Sequence, residues 1–247
     1  KWYDWMRTIA ITDVICLAAV MLLACKIEKT PVEKHKMTVG QFIACIFMNS
    51  GVIGAGMILG MIMEKIMEGL CGTTGGQVIT DMMLGSDDFW RILTVGIGAP
   101  IVEELIFRKF LIDRIHKYGE GIAILISGML FGLFHGNFAQ FFHTTGVGLF
   151  LAFIYIRTGK VWYTILLHMV VNVCTSVITM KIVSGLDFEK MELLSGMDAS
   201  SQEAMDLTME LLPSMLGLIG WFLILVATAV IGWVLWIMKR KQLFLKK

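Results

Sequence analysis

Runs of about twenty apolar residues recur along almost the whole chain, and no other feature limits its fold so tightly. A helix rising 1.5 Å per residue needs roughly 20 such residues to cross a hydrocarbon layer about 30 Å thick. Seven segments approach or meet that length: 6–25, 40–63, 92–112, 120–141, 144–157, 161–180 and 213–238, the fifth being short. Inside lipid no water is present to bond the backbone amides, so each run is read as a helix. The predicted fold is therefore all-α, a polytopic transmembrane helix bundle of about seven to eight spans around a buried polar pocket. No repeat, linker or low-complexity tract divides residues 1–247, so one membrane domain is expected. The 57% hydrophobic content and mean hydropathy of +0.76 exceed what soluble domains carry and agree with this.

Charge placement orients the bundle. With the C-terminal tail taken as cytoplasmic, fifteen of the 21 Lys and Arg residues fall on that side of the seven spans and six on the other. The acidic residues lean the opposite way, seven of them within 181–212. An integral membrane protein with its N-terminus outside and its C-terminus in the cytoplasm is the expectation. The first apolar run lacks a small-residue cleavage site, so it is expected to remain as a span. The net charge of +1 gives no reason to expect a nucleic-acid partner. Four of the five cysteines lie in apolar runs, where cysteine acts as a small hydrophobe, and no C-x-x-C spacing exists.

Ser200 followed by Glu203 has the spacing of a capping box, and Met205, Thr208, Met209 and Leu212 share a helical face. This stretch is either an amphipathic helix on the outer membrane surface or a solvated helical hairpin loop. Glycines recur at every fourth position at Gly128, Gly132 and Gly136, and again at Gly56 and Gly60, a spacing that lets membrane helices approach closely.

Ionisable groups are costly in lipid and mark function or pairing. One dense set is present. The third span carries Glu103, Glu104 and Arg108; the fourth carries Phe131 and His135; the sixth carries His168 and Asn172. Glu104 and Arg108, four residues apart, lie on one face and can pair, whereas Glu103 projects about 100° away. Phe131 and His135 share a face, as do His168 and Asn172. Any one of these is more often a structural contact than a catalyst. Together they fit hydrolysis: Glu103 and His135 positioning and deprotonating a water, His168 and Asn172 donating to the oxyanion, Glu104 and Arg108 holding the third span in register or clamping a substrate carboxylate. Depth is the difficulty, because these limits put Glu103 mid-span, His168 towards one end and His135 towards the other.

The order Glu-Glu-x-x-x-Arg, Phe-x-x-x-His, His-x-x-x-Asn on three membrane helices resembles the CPBP family, the CAAX proteases and bacteriocin-processing enzymes also called Abi. The motifs cover residues 103–172, inside a core of 92–180. The resemblance implies an intramembrane endopeptidase with Glu103, His135, His168 and Asn172 catalytic and Glu104, Arg108 and Phe131 supporting. It implies a lipid bilayer and a membrane-associated peptide or protein as partners, and a bacterial cell membrane as the setting. CAAX-type trimming and bacteriocin or pheromone processing are the activities it brings. Relatives often have eight spans.

A metal-free glutamate mechanism is favoured, since H-E-x-x-H is absent. Zn2+ held by Glu103, His135 and His168 is the alternative, with His143 expected at the interface. A proton-coupled transporter and a non-catalytic bacteriocin immunity protein are the readings from other classes.

Overall fold

The computed structural model describes residues 2–72 and 75–244. In chain order the helices are α1 (Trp2–Ala24), α2 (Val39–Cys71), α3 (Gly75–Leu84), α4 (residues 88–118), α5 (Glu120–Phe134), α6 (Phe138–Thr158), α7 (residues 161–183), α8 (Phe188–Ser195) and α9 (Gln202–Phe244). No strand occurs among the described residues. The protein is an all-α membrane bundle. By length and composition, five helices can cross a membrane: Trp5–Ala24, Val39–Leu70, Phe138–Thr158, Val161–Val183 and Gln202–Lys239. The apolar α5 runs beside them with only 15 residues.

Two boundaries differ from those read in the sequence. The fourth span stops at Phe134, and residues 138–141 belong to the next helix, which is a full 21 residues rather than a short one. Asn137 begins that helix by accepting a bond from the Gln140 amide, and Gly136 turns the chain at φ 67°. Gly136 is thus a turn residue in open space, not the third contact of a packing stripe. Residues 202–212 form neither a separate surface helix nor a hairpin loop; they are the first turns of α9. Its cap is Ser201, whose hydroxyl accepts from the Ala204 amide, while Ser200 bonds Asp198. At 43 residues α9 is about 65 Å long, roughly twice the hydrocarbon thickness, so part of it stands clear of the lipid.

The other glycine expectations hold. Side chains at Gly56 and Gly60 would meet the backbone of His143 and Ala139, and side chains at Gly128 and Gly132 would meet Leu149 and Thr145. So α2 and α5 both lie directly against α6. A third close crossing, Gly232 of α9 on Phe47 and Gly51 of α2, follows no regular spacing. It is completed by Trp233 and Trp236, whose indoles donate to Gly51 and Met48 carbonyls.

The motif-bearing α4 is not uniform. Its turns widen to π-helix over Ile92–Gly98 and Leu105–Ile112, flanking an α-helical Ala99–Glu104. Pro100 has no N–H to donate, and its ring would press on the carbonyl four residues back. The wide turns before it relieve that contact. In α7, Val173–Ile178 widens in the same way just after Asn172. Such bulges accompany functional sites in many helices.

Candidate active site

Glu103 and Glu104 are both buried, 7% and 0% exposed, and they are employed very differently. Glu104 lies 3.0 Å from Arg108 Nε, and its other oxygen is 3.1 Å from His168 Nδ1. Arg108 is itself enclosed: it donates to the Ser127 hydroxyl at 3.2 Å and stacks over the Phe131 ring at 4.8 Å. Ser127 in turn donates to the Phe107 carbonyl, which ties α5 to α4. Glu104 and Arg108 therefore join α4, α5 and α7 at one point. Glu103, one residue earlier and so about 100° round the helix, escapes this network. Its Oε2 lies 3.8 Å from His168 Nε2 and has no hydrogen-bond partner.

His168 thus spans the two carboxylates with its two ring nitrogens. A carboxylate oxygen only accepts, so the Nδ1 facing Glu104 carries a proton and Nε2 is the nitrogen turned to Glu103. At the end of α5, His135 Nδ1 lies 2.9 Å from the Phe131 carbonyl. That bond likewise fixes the proton on Nδ1 and leaves Nε2 free to act. The Phe131 ring stands between the imidazoles, 5.0 Å from His135 and 5.5 Å from His168.

The two histidines come level through the Phe131 ring that both contact. Because α5 ends at Phe134, His135 sits at a helix end within reach of Phe131, and the wide turns of α4 let the carboxylates meet α7. Asn172 follows His168 by one turn on the same helix, but its Nδ2 donates to the Val95 carbonyl at 2.9 Å. One of its two N–H groups is thereby committed and the other is left. Val95 lies in the first wide stretch of α4, where relaxed turns free carbonyls for such bonds.

The sequence pattern gave no sign of several neighbours. Ser127 and Thr164 are wholly buried beside the network and read as ordinary membrane-helix hydroxyls. Asp13 of α1 lies near enough to Glu103 for their charges to act on one another. A lone carboxylate in the first span was the signal that could have found it. His143, expected at the interface, faces Gly56 of α2 and is electrostatically coupled to His135.

As a metal site the residues do not fit as they stand. Among the described residues no three His, Cys, Asp or Glu side chains converge as a metal-holding group. Glu103 lies 3.8 Å from His168 Nε2, while the Phe131 ring packs against both imidazoles. What the arrangement offers is one underemployed carboxylate, two imidazoles with a nitrogen each to spare and a carboxamide N–H, all withdrawn from lipid.

Comparison with known proteins adds to this geometry. Residues 85–174 match the family described as "Type II CAAX prenyl endopeptidase Rce1-like". The chain is 35% identical over 82 residues to a Bacillus subtilis (strain 168) protein named "Putative membrane peptidase YdiL". That match covers 33% of this chain and 34% of the relative, so it spans about a third of each. No solved structure matches. Both similarities support the CPBP family, and the YdiL match is to a protein named as a membrane peptidase.

Proposed function

We propose, from the premise that residues 85–174 are of the CPBP type, that this chain is an intramembrane endopeptidase of the CAAX or bacteriocin- and pheromone-processing kind. Its substrate is a peptide bond in a membrane-associated protein or peptide. The observation that carries the reading is the unequal employment of adjacent carboxylates. Glu104 lies 3.0 Å from Arg108 and 3.1 Å from His168, whereas Glu103 lies 3.8 Å from His168, beyond hydrogen-bond reach.

In this reading Glu103, assisted by His135, takes a proton from a water as that water attacks the peptide carbonyl. The tetrahedral oxyanion receives hydrogen bonds from His168, whose Nε2 donates when the ring is doubly protonated, and from the uncommitted N–H of Asn172, which counters charge where it develops. Glu103 then returns the proton to the leaving amine, which breaks the C–N bond and restores the site. Glu104 orients the His168 ring through Nδ1, and Arg108 balances the charge of Glu104. The mechanism is metal-free.

The test is cleavage of membrane-tethered peptides by protein purified into lipid, comparing wild type with Glu103→Ala and His135→Ala. Each substitution should lower the rate by about 10²–10⁴-fold, the usual worth of a positioned acid or base. Variants that cut as fast as wild type would retire the assignment. A chelator in the same assay should leave wild-type cleavage unchanged.

A further inference from the structure

Between Thr8 and Ala24, Asp13 is the only charged residue of α1. It is half-buried where Thr12, Val14 and Ile15 beside it are exposed, so it lies on the inward face with the buried Met6 and Ala24. That face rests on α4. The Met6 sulfur lies 3.3 Å from the Thr94 hydroxyl, and the Ala24 carbonyl accepts from Arg114 at 2.6 Å. The two helices therefore run parallel, with α1 packed along Ala99–Glu104 between these ends. Asp13 is about two turns beyond Met6, and Glu103 about two and a half beyond Thr94, which puts the two carboxylates at one level. They are near enough for their charges to act on one another.

An ionised side chain inside a membrane ordinarily pairs with a charge or a donor. Glu104 has Arg108, and Asp113 has Lys109. Asp13 has no hydrogen-bond or ion-pair partner among the described residues. Glu103 lies 3.8 Å from His168 Nε2, beyond hydrogen-bond reach. Like charges set at one level disfavour each other, and a positive group received there would be held by both.

The polarity of the site says which group fits. A trans peptide bond points its C=O and its N–H in opposite directions. Helices α1 and α7 each pack along α4 and scarcely touch one another. On the proposed mechanism α7 brings the donors His168 and Asn172, whereas α1 brings an acceptor. A peptide with its carbonyl turned to α7 presents its N–H towards α1.

We propose that Asp13 receives the amine side of the scissile bond, accepting from the peptide N–H and then pairing with the ammonium group that cleavage releases. This rests on the peptidase reading and deepens it. Water forms the new C–O bond, the C–N bond breaks as Glu103 protonates the nitrogen, and the proton of the new carboxyl group ends on the amine. The products are thus a carboxylate and an ammonium. An ammonium is costly in hydrocarbon, and Asp13 supplies its counter-charge at the level where it forms.

The probe is a fluorescently labelled tetraleucine amide, its N-terminus free or acetylated, titrated into the purified protein in lipid nanodiscs with empty nanodiscs as the blank. Wild type should bind the free-amine form about tenfold more tightly, the worth of one hydrogen bond to a charged group. Asp13→Asn and Asp13→Leu should bring the two forms level, and Asp13→Glu should retain most of the preference. In the cleavage assay the free-amine form should likewise be the stronger inhibitor of wild type, a difference that Asp13→Asn erases. An Asp13 that only supports the fold would shift both forms alike. Equal binding of the two forms by wild type, or a preference that survives Asp13→Leu, overturns the proposal. A preference for the amine in a wild type that cleaves nothing supports the amine site and retires the peptidase reading instead.

Discussion

The bundle holds two buried polar layers, and they are built on opposite plans. At the end rich in lysine and arginine the buried Asp113 is engaged on every side. Tyr155 donates to Asp113 at 2.7 Å, Lys109 donates to the other oxygen at 2.6 Å, and the Asp113 carbonyl accepts from the Thr30 amide. The segment 25–38 is strapped across this end by further bonds from His35 to Thr158 and from Met37 to the Tyr163 hydroxyl. Arg114 donates to the Ala24 carbonyl at the start of the strap. The other layer, around Glu103, leaves buried atoms of Glu103, Glu104, Arg108, Asn49 and His143 without a hydrogen bond. A satisfied network stabilises and specifies a fold, whereas an underused one costs stability and is kept for what it does. On the proposed peptidase reading, stability and chemistry are carried at different depths of the same helices.

Glu103→Gln breaks the comparison most sharply. It keeps shape and hydrogen bonding but removes the proton acceptor, so cleavage should fall by about 10²–10⁴-fold while the midpoint of thermal unfolding stays within a degree or two. A large loss of thermal stability would mean that Glu103 is a structural partner like Asp113. Arg108→Leu should act in the other currency. It strands Glu104 in the bundle, and breaking a buried pair in this way costs about 3–5 kcal/mol. Denaturation in detergent should show that loss directly, and activity should fall only as folded protein does if Arg108 has no part in chemistry. Tyr155→Phe is the milder control at the strapped end. Asp113 loses a donor, worth about 1–3 kcal/mol, and kcat of the folded fraction should not change.

Much of the site layer was legible because its residues are rare. Two glutamates, two histidines and an arginine inside apolar runs are conspicuous, and their spacing of four places each pair on one face. The structure brings Glu103, Glu104, Arg108, Phe131, His135 and His168 into one contact network, which the pattern anticipated. Asn172 reaches Val95 instead, a bond that depends on the wide turns of α4, and nothing local signals those turns beyond Pro100. The break at residues 135–137 was hidden because Gly136 sits in register with Gly128 and Gly132, so a turn glycine looked like a packing one. Asn49 escaped notice as a small polar residue in a long apolar helix. The strapped layer was illegible for a different reason: Lys109 and Asp113 sit one turn apart on α4, but their partner Tyr155 comes 42 residues later on α6, and charges near a span end read as ordinary interfacial residues.

The smallest expected effect lies at the far end of α4, outside the membrane-spanning segments, and it asks whether a solvent-facing ion pair follows the rule of the strapped layer. Asp88 accepts from Lys181 at 2.6 Å and from Arg91 at 3.2 Å, clipping α4 to α7. The bond from Lys181, then its charge and that of Arg91, hold the Asp88 carboxyl below its ordinary value of 3.8. A carboxylate depressed in this way stabilises the folded state above pH 3.8, and that contribution is lost as pH falls through the lower folded value. The clip is exposed to solvent and screened by salt, so its share is slight near neutrality. Thermal unfolding followed from pH 6 down to pH 3 should show a small acid-dependent component that Lys181→Gln diminishes and high salt blunts. If that component survives Lys181→Gln undiminished, the acid sensitivity belongs to carboxylates deeper in the bundle, and the division between a structural end and a chemical middle would have to be redrawn around Glu103 and Asp13.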